Sequence, residues 1–158
     1  QAKAQIKTGW FEGQSYGEEN NFLPMAQVAK WVEEGHRGGW GPTPPRPAIR
    51  MLHIPTIADS GFLVQQGLPF VKDVAEGRMS WKKLHMKLAP KVLYKFKLAL
   101  ETYYKVPNAP ATVEYKGFND PWRETGVLIE NARFVVDAYK PSNKNNTYTV
   151  FQGPLKVR

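Results

Sequence analysis

The segment 33–50, EEGHRGGWGPTPPRPAIR, limits the fold more than any other part of the chain. It is not a continuous helix: Gly35, Gly38, Gly39 and Gly41 cost helix entropy, and its prolines remove backbone donors. It is not a central strand either, because Pro42, Pro44, Pro45 and Pro47 would interrupt any ladder. The expectation is a long, partly stiff loop, extended over 42–47, where each residue before a proline is held near β or polyproline geometry. A loop of this length is usually functional or disordered. Trp40, Arg37, Arg46 and Arg50 favour function, against the plainer alternative of a surface loop whose prolines restrict the unfolded chain.

Around this segment the chain reads as a mixture of strands and helices. Residues 6–16 suit a strand with Ile6, Thr8 and Trp10 on one face. Residues 23–34 suit a helix with Pro24 in the first turn, an apolar face of Met25, Val28, Ala29 and Val32, and Gly35 as its stop. Glu33 and Glu34 then sit at the negative end of the helix dipole, which asks for a partner among Arg37, Arg46 and Arg50. Residues 49–57 are ambiguous, and Pro55 argues against one long helix. Asp59 or Ser60 can cap a helix to about residue 76, weakened by Gly61, Gly67 and Pro69.

Ser80 is a fitting N-cap for the longest helix, to about residue 104, with Pro90 expected to kink or split it. Its buried stripe is Trp81, Leu84, Leu88, Val92, Phe96, Ala99 and Tyr103. A second stripe, Lys83, Lys87, Lys91 and Lys95, repels itself by a few tenths of a kcal/mol per pair. It is either a solvated face or a surface that meets an acidic partner or DNA phosphates. Farther on, 111–115 alternates weakly as a strand and Thr125 can cap one helical turn over 126–130. Residues 132–139 read as a strand and 147–151 as its return, making a long C-terminal hairpin. The fold class expected is α+β, an antiparallel sheet with helices on one face. No internal repeat or linker divides 1–158, so one domain is expected.

The net charge of +8 asks for an acidic partner, either nucleic acid or an acidic protein surface. Cysteine is absent, which rules out disulfides and thiolate metal ligands from this chain. No apolar run is long enough to cross a bilayer, and residues 1–20 carry no apolar stretch of the signal-peptide type. His36, His53 and His85 lack metal-ligand spacing, and the glycines at 38, 39 and 41 lack the lysine and helix of a phosphate cradle. With no catalytic constellation and no implied cofactor or metal, a binding or structural protein is favoured over an enzyme.

Three pieces in order resemble one known family. They are Thr8-Gly9-Trp10-Phe11-Glu12-Gly13; Met25-Ala26-Gln27-Val28-Ala29 with Glu34-Gly35 and Pro45-Arg46-Pro47-Ala48-Ile49-Arg50; and Pro121-Trp122-Arg123-Glu124-Thr125-Gly126-Val127-Leu128-Ile129-Glu130-Asn131-Ala132. Together they resemble the head–tail joining, or tail-completion, proteins of tailed bacteriophages, with Ala48 standing where that pattern commonly has Phe. The resemblance implies a virion neck subunit without enzymatic activity. It implies a homo-oligomeric ring, typically a hexamer, between the portal-side connector and the tail tube or terminator. DNA would pass through that ring without sequence-specific binding, and no membrane is involved. The layer stays open between tail completion, terminator and connector. On this view Trp40, Arg46, Pro47, Arg50, Glu34 and Trp122 form the interface, Trp40 as anchor and Arg46 and Arg50 on an arm reaching the next subunit. The C-terminal hairpin would extend a sheet across subunits, and the lysine stripe would face the DNA channel or an acidic connector. A free-standing basic nucleic-acid-binding protein is the alternative, with a carboxylate-dependent hydrolase a distant third.

Overall fold

The computed structural model describes residues 4–38, 41–59 and 61–138. Trp40 and the return strand of the expected C-terminal hairpin lie outside the described residues. The architecture is α+β. Strand β1 (Ala4–Gly9) pairs antiparallel with β4 (Arg133–Ala138), in register from Ala4 opposite Ala138 to Gly9 opposite Arg133. This register sets Ile6 against Val136 and Thr8 against Phe134 on one face, where alternation points them toward the long helix α4 (Trp81–Glu101). Ile6, Val136, Leu84, Leu88, Ala89 and Val92 form one core there. A second core gathers at the other end of α4 around Trp10, Phe96, Leu100, Tyr103 and Trp122.

Helix α4 follows its sequence signals closely. The Ser80 hydroxyl accepts a hydrogen bond from the Lys83 amide at 3.2 Å, satisfying one orphan donor of the first turn. Ser80→Ala should therefore lower stability by about 1 kcal/mol, read as a shift in the urea midpoint with unchanged slope. The stripe Leu84, Leu88, Val92, Phe96, Ala99 and Tyr103 is buried, while Trp81, in the first turn, stays partly exposed. Pro90 does not split the helix. It lies on the solvent side, where the Met86 carbonyl that it leaves without an amide partner can reach water.

Helix α1 (Met25–Glu34) has Pro24 at its N-cap and ends at Gly35. Gly35 has a φ of +75°, and a Cβ there would meet the Thr43 carbonyl oxygen at 2.6 Å, so both conformation and space require glycine. The Gly/Pro segment then departs from expectation. It opens not as an irregular loop but as a ribbon, β2 (His36–Gly38) paired with β3 (Gly41–Thr43). A two-stranded ribbon consists only of edges, so Pro42 is tolerated opposite Arg37.

After Pro47 the chain enters a widened, π-type turn, Ile49–His53, that runs directly into α2 (Ile54–Asp59). The wider turn directly precedes Pro55, whose ring would crowd the carbonyl of an ordinary preceding turn. Helix α3 (Phe62–Ala75) follows, with Gly61 rather than Asp59 or Ser60 at its N-cap, and packs beside α4.

The strand expected at 111–115 is instead helix α5 (Pro110–Lys116). Pro110 pre-sets the first helical φ, and Gly117 closes the end in the left-handed region. A strand would have needed a buried face, whereas Tyr115 is almost wholly exposed. The single turn α6 (Val127–Glu130) is close to expectation.

Candidate functional site

The residues expected to form an outward arm are largely turned inward. Arg46 is buried in its own subunit. Its Nε and Nη2 donate to the carbonyls of Val106 and Pro107, both at 3.3 Å. Its backbone amide donates to the Val32 carbonyl at 2.9 Å. Its own carbonyl accepts from the Trp122 indole at 3.2 Å. Trp122 is buried too and stacks on Trp10, centroids 6.4 Å apart and planes 5° apart. Arg46 and Trp122, expected at an interface, are thus buried and engaged within their own subunit. The carbonyls after α4 lack helical partners, and a five-donor guanidinium beside them serves its own chain. Burial lowers the Arg46 pKa.

Of the two glutamates at the end of α1, Glu33 is the buried one and Glu34 is exposed. The Glu33 carboxylate accepts the Ile49 amide at 3.1 Å and the Arg50 amide at 3.0 Å, and pairs with the Arg50 guanidinium at 3.5 Å. It caps the start of the π-type turn, as an acid at a helix N-terminus should. Burial nevertheless pushes its pKa up, the hydrogen bonds and Arg50 opposing. The pairing of Glu33 with Arg50 is among those the sequence offered; its burial and its two backbone-amide bonds were not read from the sequence, although Met25, Ala29 and Glu33 recur four apart and all three are buried. Pro47 is half-buried and Arg50 is exposed.

The lysine stripe is partly a packing device. Lys87 Nζ lies 5.1 Å from the Phe70 ring centre, Lys91 Nζ donates to Gln66 Oε1 at 2.6 Å, and Lys95 Nζ lies 5.7 Å from the Phe62 ring centre. Phe62, Gln66 and Phe70 repeat on α3 at the same four-residue step, so the two helices run antiparallel and mesh along this seam. Each exposed cation–π contact stabilises by about 0.5–1 kcal/mol, enough to offset the repulsion along the stripe. Lys83 is exposed.

Two further surfaces were not singled out from the sequence. The flank of α3 away from the lysine seam exposes Val64, Leu68 and Val71, at 52%, 66% and 50%. Their spacing of four and three residues makes one aliphatic ridge. Between α1, α5 and residues 121–128 lies a groove of about 420 Å³ whose walls include Leu23, Val28, Trp31, Tyr115 and Leu128. Lys116 lines it, but its ammonium is engaged by the Asp120 and Arg123 carbonyls. Among the described residues no helix is long and apolar enough to cross a membrane.

The described surface carries cationic and apolar ridges, while Glu33, Arg46 and Arg50 of the Gly/Pro segment are engaged in bonds within the subunit. No family model, no curated protein and no solved structure matches the chain.

Proposed function

We propose that this chain is a structural assembly subunit whose copies close into a ring, in line with its resemblance to phage neck proteins. In that role it would join the portal-side connector to the tail in the virion, with DNA passing through the ring. The observation that carries the reading is the exposed aliphatic ridge Val64–Leu68–Val71. Three branched aliphatic side chains at least half exposed along one helix are a surface that water disfavours and another protein covers. The ridge is uncharged, so copies of a chain with net charge +8 can meet there without facing lysine to lysine.

The acceptor in this proposal is the groove between α1 and α5 of the next copy. A ridge and a groove are different patches, so their contact is heterologous and generates a ring when the rotation closes. A ridge of three side chains is a small contact beside the roughly 800 Å² per partner of a standard stable interface. Closure, in which every copy uses both patches, then supplies stability that an isolated pair lacks.

Native mass spectrometry across a concentration series tests this. The wild type should form a closed oligomer. Leu68→Glu, on the ridge, and Tyr115→Glu, on the groove rim where the side chain is 87% exposed, should each give monomers that keep the wild-type far-UV circular dichroism and lose the concentration dependence of the thermal midpoint. Mixed together they should give at most a weak dimer at the highest concentrations and nothing larger, since each partner keeps one working patch and no ring can close. A wild type that stays monomeric at high concentration overturns the proposal. So does an oligomer indifferent to Leu68→Glu.

A further inference from the structure

Helix α4 presents a second outward surface of different chemistry. Met86, Pro90 and Tyr94 recur every fourth residue and all face solvent, Met86 at 47% and Tyr94 at 63% exposed. Lys83, Lys87 and Lys91 form the adjacent stripe. The helix carries no carboxylate before Glu101, and among the described residues no ion pair reaches these three lysines. The nearest acids on neighbouring α3 and its end, Asp73 and Glu76, are held by Arg78 and Lys72. Lys87 and Lys91 are also positioned in advance, over the Phe70 ring and on Gln66. A partner therefore meets cations whose ordering cost is partly met by folding.

We propose that this face of α4 docks an acidic amphipathic helix belonging to a different protein. Four helical residues rise about 6 Å, so the lysines form a straight row at that interval. Glutamates four residues apart on an α-helix repeat at the same interval, and a helix laid along α4 brings carboxylate after carboxylate to successive lysines. Its apolar side chains then cover Met86, Pro90 and the Tyr94 ring. A thioether and a proline ring offer a DNA phosphate backbone nothing, and a duplex backbone curves away from a straight row. A second copy of this chain is unsuited, because the same face would set lysine against lysine, and no helix among the described residues carries acids at four-residue spacing along its length. The inference stands on α4 alone and holds whether or not copies assemble through α3.

The test uses the full chain and a dye-labelled synthetic helix of about three heptads, leucine at the apolar positions and glutamate flanking them, at ~50 mM salt. Fluorescence anisotropy should show saturable binding by the wild type. Lys83→Glu combined with Lys87→Glu should weaken it about tenfold, and Tyr94→Ser should weaken it about fivefold. A peptide with lysine in place of each glutamate should ignore the wild type and bind the doubly reversed variant. Lys83→Glu alone is the safeguard if Lys87→Glu disturbs the seam with α3. Among the described residues the Lys83 side chain has no hydrogen bond, ion pair or ring contact to α3, and a glutamate at that position completes a capping box with Ser80, so a loss of about threefold there is not a folding defect. The proposal is overturned if the wild type does not bind the acidic peptide. It is also overturned if Tyr94→Ser leaves binding intact, or if a duplex of about 20 base pairs binds more tightly than the peptide, for then the face is a generic polyanion surface.

Discussion

Trp10→Ala should cost about 3–5 kcal/mol, the range for emptying a large aromatic site in a packed core. Trp10 follows β1 directly and is fully buried. Its ring packs edge-to-face with Phe96 on α4, centroids 5.4 Å apart, and stacks on Trp122 from the 121–128 segment. Its indole N–H donates to the Leu128 carbonyl at 2.7 Å. One side chain therefore ties the end of β1 to α4 and to α6, which are remote in sequence. Truncation removes the packing, leaves the Leu128 carbonyl unpaired and takes away the surface on which Trp122 stacks. Trp122 in turn holds the Arg46 carbonyl, so the loss reaches the Gly/Pro segment. For a chain of this length the thermal midpoint should fall by about 10–15 °C. Trp10→Phe, which keeps a ring and loses the hydrogen bond, should cost about 1–2 kcal/mol. A loss below about 1 kcal/mol for Trp10→Ala in urea unfolding would show that this core relaxes around the gap.

What could be read from the sequence was whatever a local pattern encodes. The start and buried stripe of α4 follow from Ser80 and the three- and four-residue steps, because capping and amphipathicity act within a few turns. The end of α1 follows from Gly35 for the same reason. Misreadings arose where a weak local pattern had two solutions. Residues 111–115 alternate, but Pro110 and Gly117 bracket a helix, and punctuation at both ends decides over a short alternation.

The destination of the Gly/Pro segment was not legible. Arg46 serves carbonyls some sixty positions away, beyond the break that follows α4. No periodicity records which distant carbonyls are left without donors. The lysine stripe lies between these cases. Its partners Phe62, Gln66 and Phe70 share its spacing in the sequence, but the match acquires meaning only once α3 is known to lie antiparallel to α4.

Lowering the pH from 6.5 to 4 should remove about 3 kcal/mol of stability through one residue, His53. It is fully buried in the π-type turn with the edge-on Phe96 ring 5.1 Å away, and neither ring nitrogen has a hydrogen-bond partner among the described residues. Burial pushes its pKa down from 6.5 to about 4, against a smaller opposing effect of the Lys95 backbone. Between those values the unfolded chain binds a proton that the folded chain refuses. The contribution is therefore complete above pH 6.5, declines as pH falls and is gone below about 4.

Glu33, at the other end of the same stretch, acts in the opposite sense. Burial raises its pKa above 4.5, so the folded chain takes up that proton first and gains relative stability as the pH drops through the raised value. The wild type should show the His53 trend with part of it cancelled. His53→Leu, similar in volume and without a titrating group, should remove the acid-side loss and leave the slope of Glu33, with stability rising modestly as pH falls toward 4.5. Urea midpoints measured at half-unit steps would check both signs. A wild type and a His53→Leu variant with parallel pH profiles would mean that His53 accepts its proton in place. The orphaned ring would then be served by water, and the acid sensitivity of the fold would have to arise elsewhere.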